Sequence, residues 1–111
     1  MKKTITTKYE KVTLDTTKAT EVWSVDLYDS LYTNAYDGFF GVFKQHVNGS
    51  DHWFLAVYHS NKLSFNGDSF CFLLNADFRD RALSLAKASD KEKFEFLNDI
   101  RLFISFNDSE R

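Results

Sequence analysis

Phe39-Phe40-Gly41-Val42-Phe43-Lys44-Gln45-His46-Val47-Asn48-Gly49-Ser50-Asp51-His52-Trp53-Phe54-Leu55-Ala56-Val57-Tyr58 is the stretch on which the fold turns. At its centre, Asn48-Gly49 tolerates the positive φ that both middle positions of a two-residue hairpin turn require, and that turn's twist matches its strands. Folding the stretch about this pair opposes Phe43 to Phe54, Gly41 to Ala56 and Phe39 to Tyr58 on one face. The other face opposes Val42 to Leu55 and Phe40 to Val57. A strand pair covered on one side alternates apolar with polar residues. This pair is apolar on both sides, which predicts a central place in a sheet with a layer packed on each face.

Downstream, Asn66-Gly67 repeats the turn signal, would pair Leu63 with Phe70, and leads into the apolar run Phe70-Cys71-Phe72-Leu73-Leu74. The result is an antiparallel meander from about residue 39 to about residue 75. Two helices then follow. Asp77 is placed as an N-cap, with Phe78, Ala82, Leu85 and Ala86 behind it at helical spacing. Ser89-Asp90-Lys91-Glu92 fits a capping box, in which Ser and Glu satisfy free amides reciprocally. Phe96, Leu97, Ile100, Phe103 and Ile104 form a broad apolar stripe after it, opposite Glu92, Glu95 and Asp99. Residues Asn107 to Arg111 should fray.

Upstream, Thr4 to Leu14 is rich in Thr, Ile, Tyr and Val and reads as one strand, its lysines marking an edge. Asp15 to Thr20 reads as a loop and Glu21 to Val25 as a second short strand. Between Asp26 and Tyr36, Leu27, Leu31 and Ala35 recur every four residues, as do Tyr28, Tyr32 and Tyr36. Asp26 suits the positive end of a helix and Gly38 a stop, so a short helix is expected over 26–36. The fold class expected is α+β: the meander, an N-terminal edge strand and two C-terminal helices, all in a single domain over residues 1–111.

Composition agrees with one packed unit. The chain is 43% hydrophobic and 27% charged, which is globular rather than disordered. Its 12 Phe, 5 Tyr and 2 Trp call for a second packing layer to absorb the rings. Cys71 is the only cysteine, so an internal disulfide is excluded, and its apolar neighbours predict a buried, inert thiol. The basic start Met1-Lys2-Lys3 leads into polar residues, where a secretion signal needs an apolar core, and no run approaches about 18 apolar residues. A cytoplasmic setting is expected. For the same reason Asn48-Gly49-Ser50 and Asn107-Asp108-Ser109 read as chance matches to a glycosylation acceptor.

Charge is unevenly spread. Residues 1–20 carry five lysines against Glu10 and Asp15, whereas residues 21–80 carry eight acids against Lys44, Lys62 and Arg79. No basic residue falls between Lys18 and Lys44. That argues against direct nucleic-acid binding, which needs a basic patch, and suits a surface that meets a basic partner.

Chemistry-bearing residues are few. His46, His52 and His59 lack metal-ligand spacing, and on one strand His52 and His59 are an odd number of residues apart, so no metal site or cofactor is expected. His46 and Asp51 should face each other beside the Asn48-Gly49 turn. A carboxylate orienting an imidazole is one way to build a general base, but an exposed cross-strand pair is the simpler reading, since no nucleophile or oxyanion donor lies nearby. The four glycines are scattered and form no phosphate-cradling loop.

The stretch from Asp26 to Asp37 alternates acids with tyrosines on a segment free of positive charge. As a helix it would place Asp26, Asp29, Thr33 and Asp37 on one exposed side. Tyrosine gives large contact area at low entropic cost, and carboxylates pair with Arg and Lys clusters as phosphates do. The expected partner-binding residues are therefore Asp26, Tyr28, Asp29, Tyr32, Tyr36 and Asp37, against the plainer reading of a solvated face. They point to a non-enzymatic binding protein that neutralises a larger partner by covering a basic surface, such as that of a nucleic-acid-handling enzyme. Phage anti-defence and toxin-immunity proteins, including those of an anti-CRISPR kind, are objects of this sort by size and composition. Two other classes compete: a small enzyme using His46 and Asp51, and a self-associating subunit, a homodimer in the simplest case, that buries one sheet face against its own copy.

Overall fold

A computed structural model of the chain describes residues 2–6, 10–29, 35–59 and 70–109. In order these form β1 (Lys2–Thr6), β2 (Lys11–Asp15), β3 (Thr20–Asp29), β4 (Ala35–Val47), β5 (Ser50–His59), β6 (Phe70–Leu73), α1 (Ala76–Ser84) and α2 (Asp90–Ser109). Strands β3-β4-β5-β6 make a four-stranded antiparallel sheet in sequence order, and β1 and β2 pair as a separate two-stranded sheet. The chain is a mixed α+β fold, strands first and helices last.

The central hairpin has the register its turn dictates. Phe43 opposes Phe54, Val42 opposes Leu55, Gly41 opposes Ala56, Phe40 opposes Val57 and Phe39 opposes Tyr58. Asn48 at φ 53° and Gly49 at φ 81° occupy the left-handed region that the turn requires. Each sheet face has its own cover. On one face Phe40, Val42, Leu55 and Val57 pack with Trp23 and Val25 against Ala82 of α1 and Phe96, Leu97 and Ile100 of α2. On the other, Phe43, Phe54, Ala56 and Cys71 pack against Val12 and Leu14 of β2. The two-sided hairpin thus sits in the middle layer of three, which is where its apolar faces require it to be.

Ring geometry holds the helix side together. Trp23 meets Phe40 edge-on at 6.1 Å and Phe96 at 5.9 Å. Its buried indole Nε1–H donates to the Ala82 carbonyl at 2.8 Å, tying the outer strand to α1. The Lys93 ammonium, on a largely buried side chain, lies 5.4 Å from the Trp23 ring centroid.

Three expectations change, and a fourth lies outside the described residues. The stretch Thr4 to Leu14 forms two strands, because folding back pairs Ile5 with Val12 and Thr4 with Thr13 and gives each strand a ladder partner that one extended strand would lack. The helix expected over 26–36 is replaced by strand as far as Asp29 and again from Ala35, with residues 30–34 outside the described ones. The alternation Trp23, Val25, Leu27 continues across Asp26, and pairing with β4 rewards it, so period two prevails over the every-fourth recurrence of Leu and Tyr. Phe70 pairs with Val57 of β5, while Leu63 and Asn66-Gly67 lie outside the described residues. Finally, the N-cap of α1 is Asn75, whose side chain accepts from the Phe78 amide at 2.8 Å, and Asp77 sits in the first turn. Asn and Asp cap equally well, and the extended backbone at Asn75 decides between them. At α2, Ser89 Oγ accepts from the Glu92 amide at 3.3 Å, one of the two bonds of the expected capping box.

Candidate protein interface

β3 is an edge of the four-stranded sheet, paired with β4 on one side, and its residues alternate between faces. Trp23, Val25 and Leu27 turn toward the helices, so Ser24 and Asp26 share the opposite face with Gly41 and Phe39, their partners on β4. Phe39 in turn opposes Tyr58 on β5, which makes Asp26, Phe39 and Tyr58 one row across three strands. The rings of Phe39 and Tyr58 stack at 6.0 Å with 29° between their planes. The small sheet packs farther along this face, over Phe43, Phe54 and Ala56, and Phe39, partly buried, packs against the edge of that cluster. Asp26 is exposed and Tyr58 remains 39% exposed. The Asp26 side chain has no hydrogen bond or ion pair among the described residues.

The other acids and tyrosines expected to bind a partner are distributed as follows. Tyr28 and Asp29 end β3, and Tyr36 and Asp37 open β4. The strand register opposes Tyr28 to Tyr36, with Asp37 as the extra residue at an irregularity beside Leu27 and Gly38. Tyr32 and Thr33 lie outside the described residues. A shared helical face for Asp26, Asp29, Thr33 and Asp37 does not form, because the flanks of this segment are paired strands. Phe39 and Tyr58 were not among the expected contact residues. Their mutual opposition is readable from the Asn48-Gly49 turn, but their link to Asp26 needs the β3–β4 register, which an assumed helix conceals.

His46 and Asp51 face each other as the turn predicts, with Nδ1 2.9 Å from Oδ1. The pair stands in solvent, the His46 side chain 69% exposed, and Asp51 also meets the Lys44 ammonium at 3.3 Å. Hydrogen bonds from His46 and then Lys44 hold the Asp51 carboxyl below its ordinary range. Lys44 in turn lies 5.3 Å from the centroid of the Trp53 ring.

His52 belongs to a different group, on the opposite sheet face, because it opposes Gln45 rather than His46. Its Nε2 is 3.0 Å from Glu10 Oε1, and the Asn48 amide donates to Glu10 Oε2 at 3.1 Å. The side-chain Oε1 of buried Gln45 accepts from the Asp15 backbone amide at 2.9 Å. These contacts fasten the small sheet to the central hairpin. Asn48 first, and His52 after it, lower the Glu10 pKa. Among the described residues no three His, Cys, Asp or Glu side chains gather closely enough to hold a metal ion. Cys71 is buried, and desolvation pushes its thiol pKa up.

Among the described residues, no helix is long and apolar enough to cross a membrane. Comparison with known proteins finds no matching family model, no similar curated protein and no similar solved structure.

Proposed function

We propose that this chain is a small binding protein that neutralises a larger protein by docking on its basic surface, in the manner of a phage anti-defence or toxin-immunity protein. The contact is the uncovered part of the sheet face and edge around Asp26. The observation that carries this reading is the row of Asp26, Phe39 and Tyr58, in which an exposed carboxylate adjoins a stacked aromatic pair. Aromatic area beside a charge is what protein hot spots are made of. The absence of any lysine or arginine between Lys18 and Lys44 leaves that part of the chain without a positive charge to repel a basic partner.

The test is capture of the partner from the native host on the purified chain, followed by the variant in which Asp26, Asp29 and Asp37 are all changed to Lys. Capture should be lost at matched folding. Undiminished capture by the triple variant sinks the reading.

A second reading rests on Leu102, 69% exposed on α2 beside the 39% exposed Phe103. The central parts of both sheet faces are covered within the chain, so neither face is left wholly bare for self-association. The outer side of α2 is where a homodimer would form. Sedimentation at low micromolar concentration separates a dimer from a monomer. A reading as an enzyme using His46 and Asp51 draws no support from a pair in open solvent whose carboxylate is shared with Lys44.

A further inference from the structure

The molecule places two of its own cations in one recurring way. The Arg81 guanidinium lies 5.4 Å from the centre of the Phe96 ring and pairs with the Asp99 carboxylate. The Lys44 ammonium lies 5.3 Å from the Trp53 ring centroid and 3.3 Å from Asp51. Each combines the negative face of a ring with a carboxylate close by, so that the cation is met from two directions.

The row across β3, β4 and β5 has both acceptors of this arrangement. Asp26 opposes Phe39 directly, which brings their Cβ atoms to about 4.5–5.5 Å. Phe39 stacks on Tyr58, whose ring is partly open to solvent. Among the described residues no cation fills the position, and Asp26 has no ion pair.

We propose that the row of Asp26, Phe39 and Tyr58 receives an arginine side chain of the protein partner, its guanidinium stacked on the aromatic pair and its charge met by the Asp26 carboxylate. This rests on the reading of the chain as a binding protein and names what it reads on the partner. Arginine suits the row better than lysine. A planar guanidinium stacks on a ring while still donating in its own plane to a carboxylate, and it gives up less hydration than an ammonium. The occupant is thus an exposed arginine on a basic protein surface, which Asp26 complements in charge.

The test is titration of the isotopically labelled full chain, followed by NMR, with three short capped peptides carrying arginine, lysine or glutamate at matched positions. The arginine peptide should shift the amides of Asp26, Phe39 and Tyr58, with the lysine peptide several-fold weaker and the glutamate peptide silent. Asp26→Asn and Tyr58→Ala should each weaken the arginine peptide about five- to tenfold, while Tyr58→Phe, which keeps the ring, restores it. Amide spectra of each variant report whether the fold is retained. Equal response to arginine and lysine, or an unchanged response in folded Asp26→Asn and Tyr58→Ala, overturns the proposal. The partner-capture assay separates the two claims. If those single variants leave capture and titration unchanged while the triple lysine variant abolishes capture, the arginine site falls and the binding function stands. If the triple variant also captures normally, both fall.

Discussion

At the scale of single residues, Gly41 shows how closely the outer strand lies on the central one. A methyl group there would come within 2.8 Å of the Trp23 carbonyl oxygen and 2.9 Å of the Ser24 Cβ. The first of these is backbone in a paired strand and cannot swing aside. Gly41→Ala should therefore cost about 1–3 kcal/mol through overpacking. A fall in the denaturation midpoint with an unchanged slope would show it, and a midpoint equal to the parent's would contradict it. Nothing in the sequence marks this glycine for close approach, since its opposition to Ala56 is readable from the turn and its opposition to Ser24 is not. Phe39 and Tyr58 share that limit. The turn gives their pairing, whereas the carboxylate that completes the row comes from a strand whose partner was hidden by a competing helical pattern.

At the scale of elements, the small sheet is held to the large one by hydrogen bonds at Gln45, Asn48 and His52 and by the packing of its own Val12 and Leu14. Asn48 belongs to the tightest turn of the central hairpin and also donates to Glu10, so one residue sets a register and anchors a neighbour. Glu10 titrates below its ordinary range in the folded chain, so it contributes stability at pH values above its unfolded pKa and loses that contribution as pH falls through the lowered value. Asp15 and Asp51 are lowered in the same sense, Asp15 by Thr17 and Asp51 by His46. Glu10→Gln should accordingly flatten part of the acid loss of stability, not all of it. Denaturant midpoints measured from about pH 6 down to about pH 2 check this, and an acid limb as steep as the parent's would refute the role of the carboxylate. Element boundaries were the least legible feature of the sequence. Strand alternation running from Trp23 through Leu27 was cut at Asp26 by the acids and tyrosines that follow, and the reversal between Thr6 and Lys11 carries neither Gly nor Pro to announce it. Helical content was easier to see, because the stripe from Phe96 to Ile104 has no competing period.

At the scale of the whole molecule, two separate apolar clusters lie on opposite faces of one sheet, and this was the most legible feature of all, since a hairpin with rings on both sides has no other stable place. The separation is measurable. Leu14→Ala opens the cluster under the small sheet and Ile100→Ala opens the one under the helices, each at a cost of about 2–5 kcal/mol. Cys71 belongs to the first cluster and reports on it. Leu14→Ala should speed labelling of the Cys71 thiol by a disulfide reagent in native buffer well beyond what Ile100→Ala does at equal stability. Equal labelling in the two variants would mean that the faces do not open independently. The order of elements along the chain also matters while the protein is being made. At roughly 5–20 residues per second, the strands leave the ribosome seconds before α2 does, so Phe40, Val42, Leu55 and Val57 emerge onto a surface whose lid has not yet followed. Until it follows, the emerged strands form a greasy, half-roofed sheet, the kind of nascent chain that chaperones must shield from its neighbours.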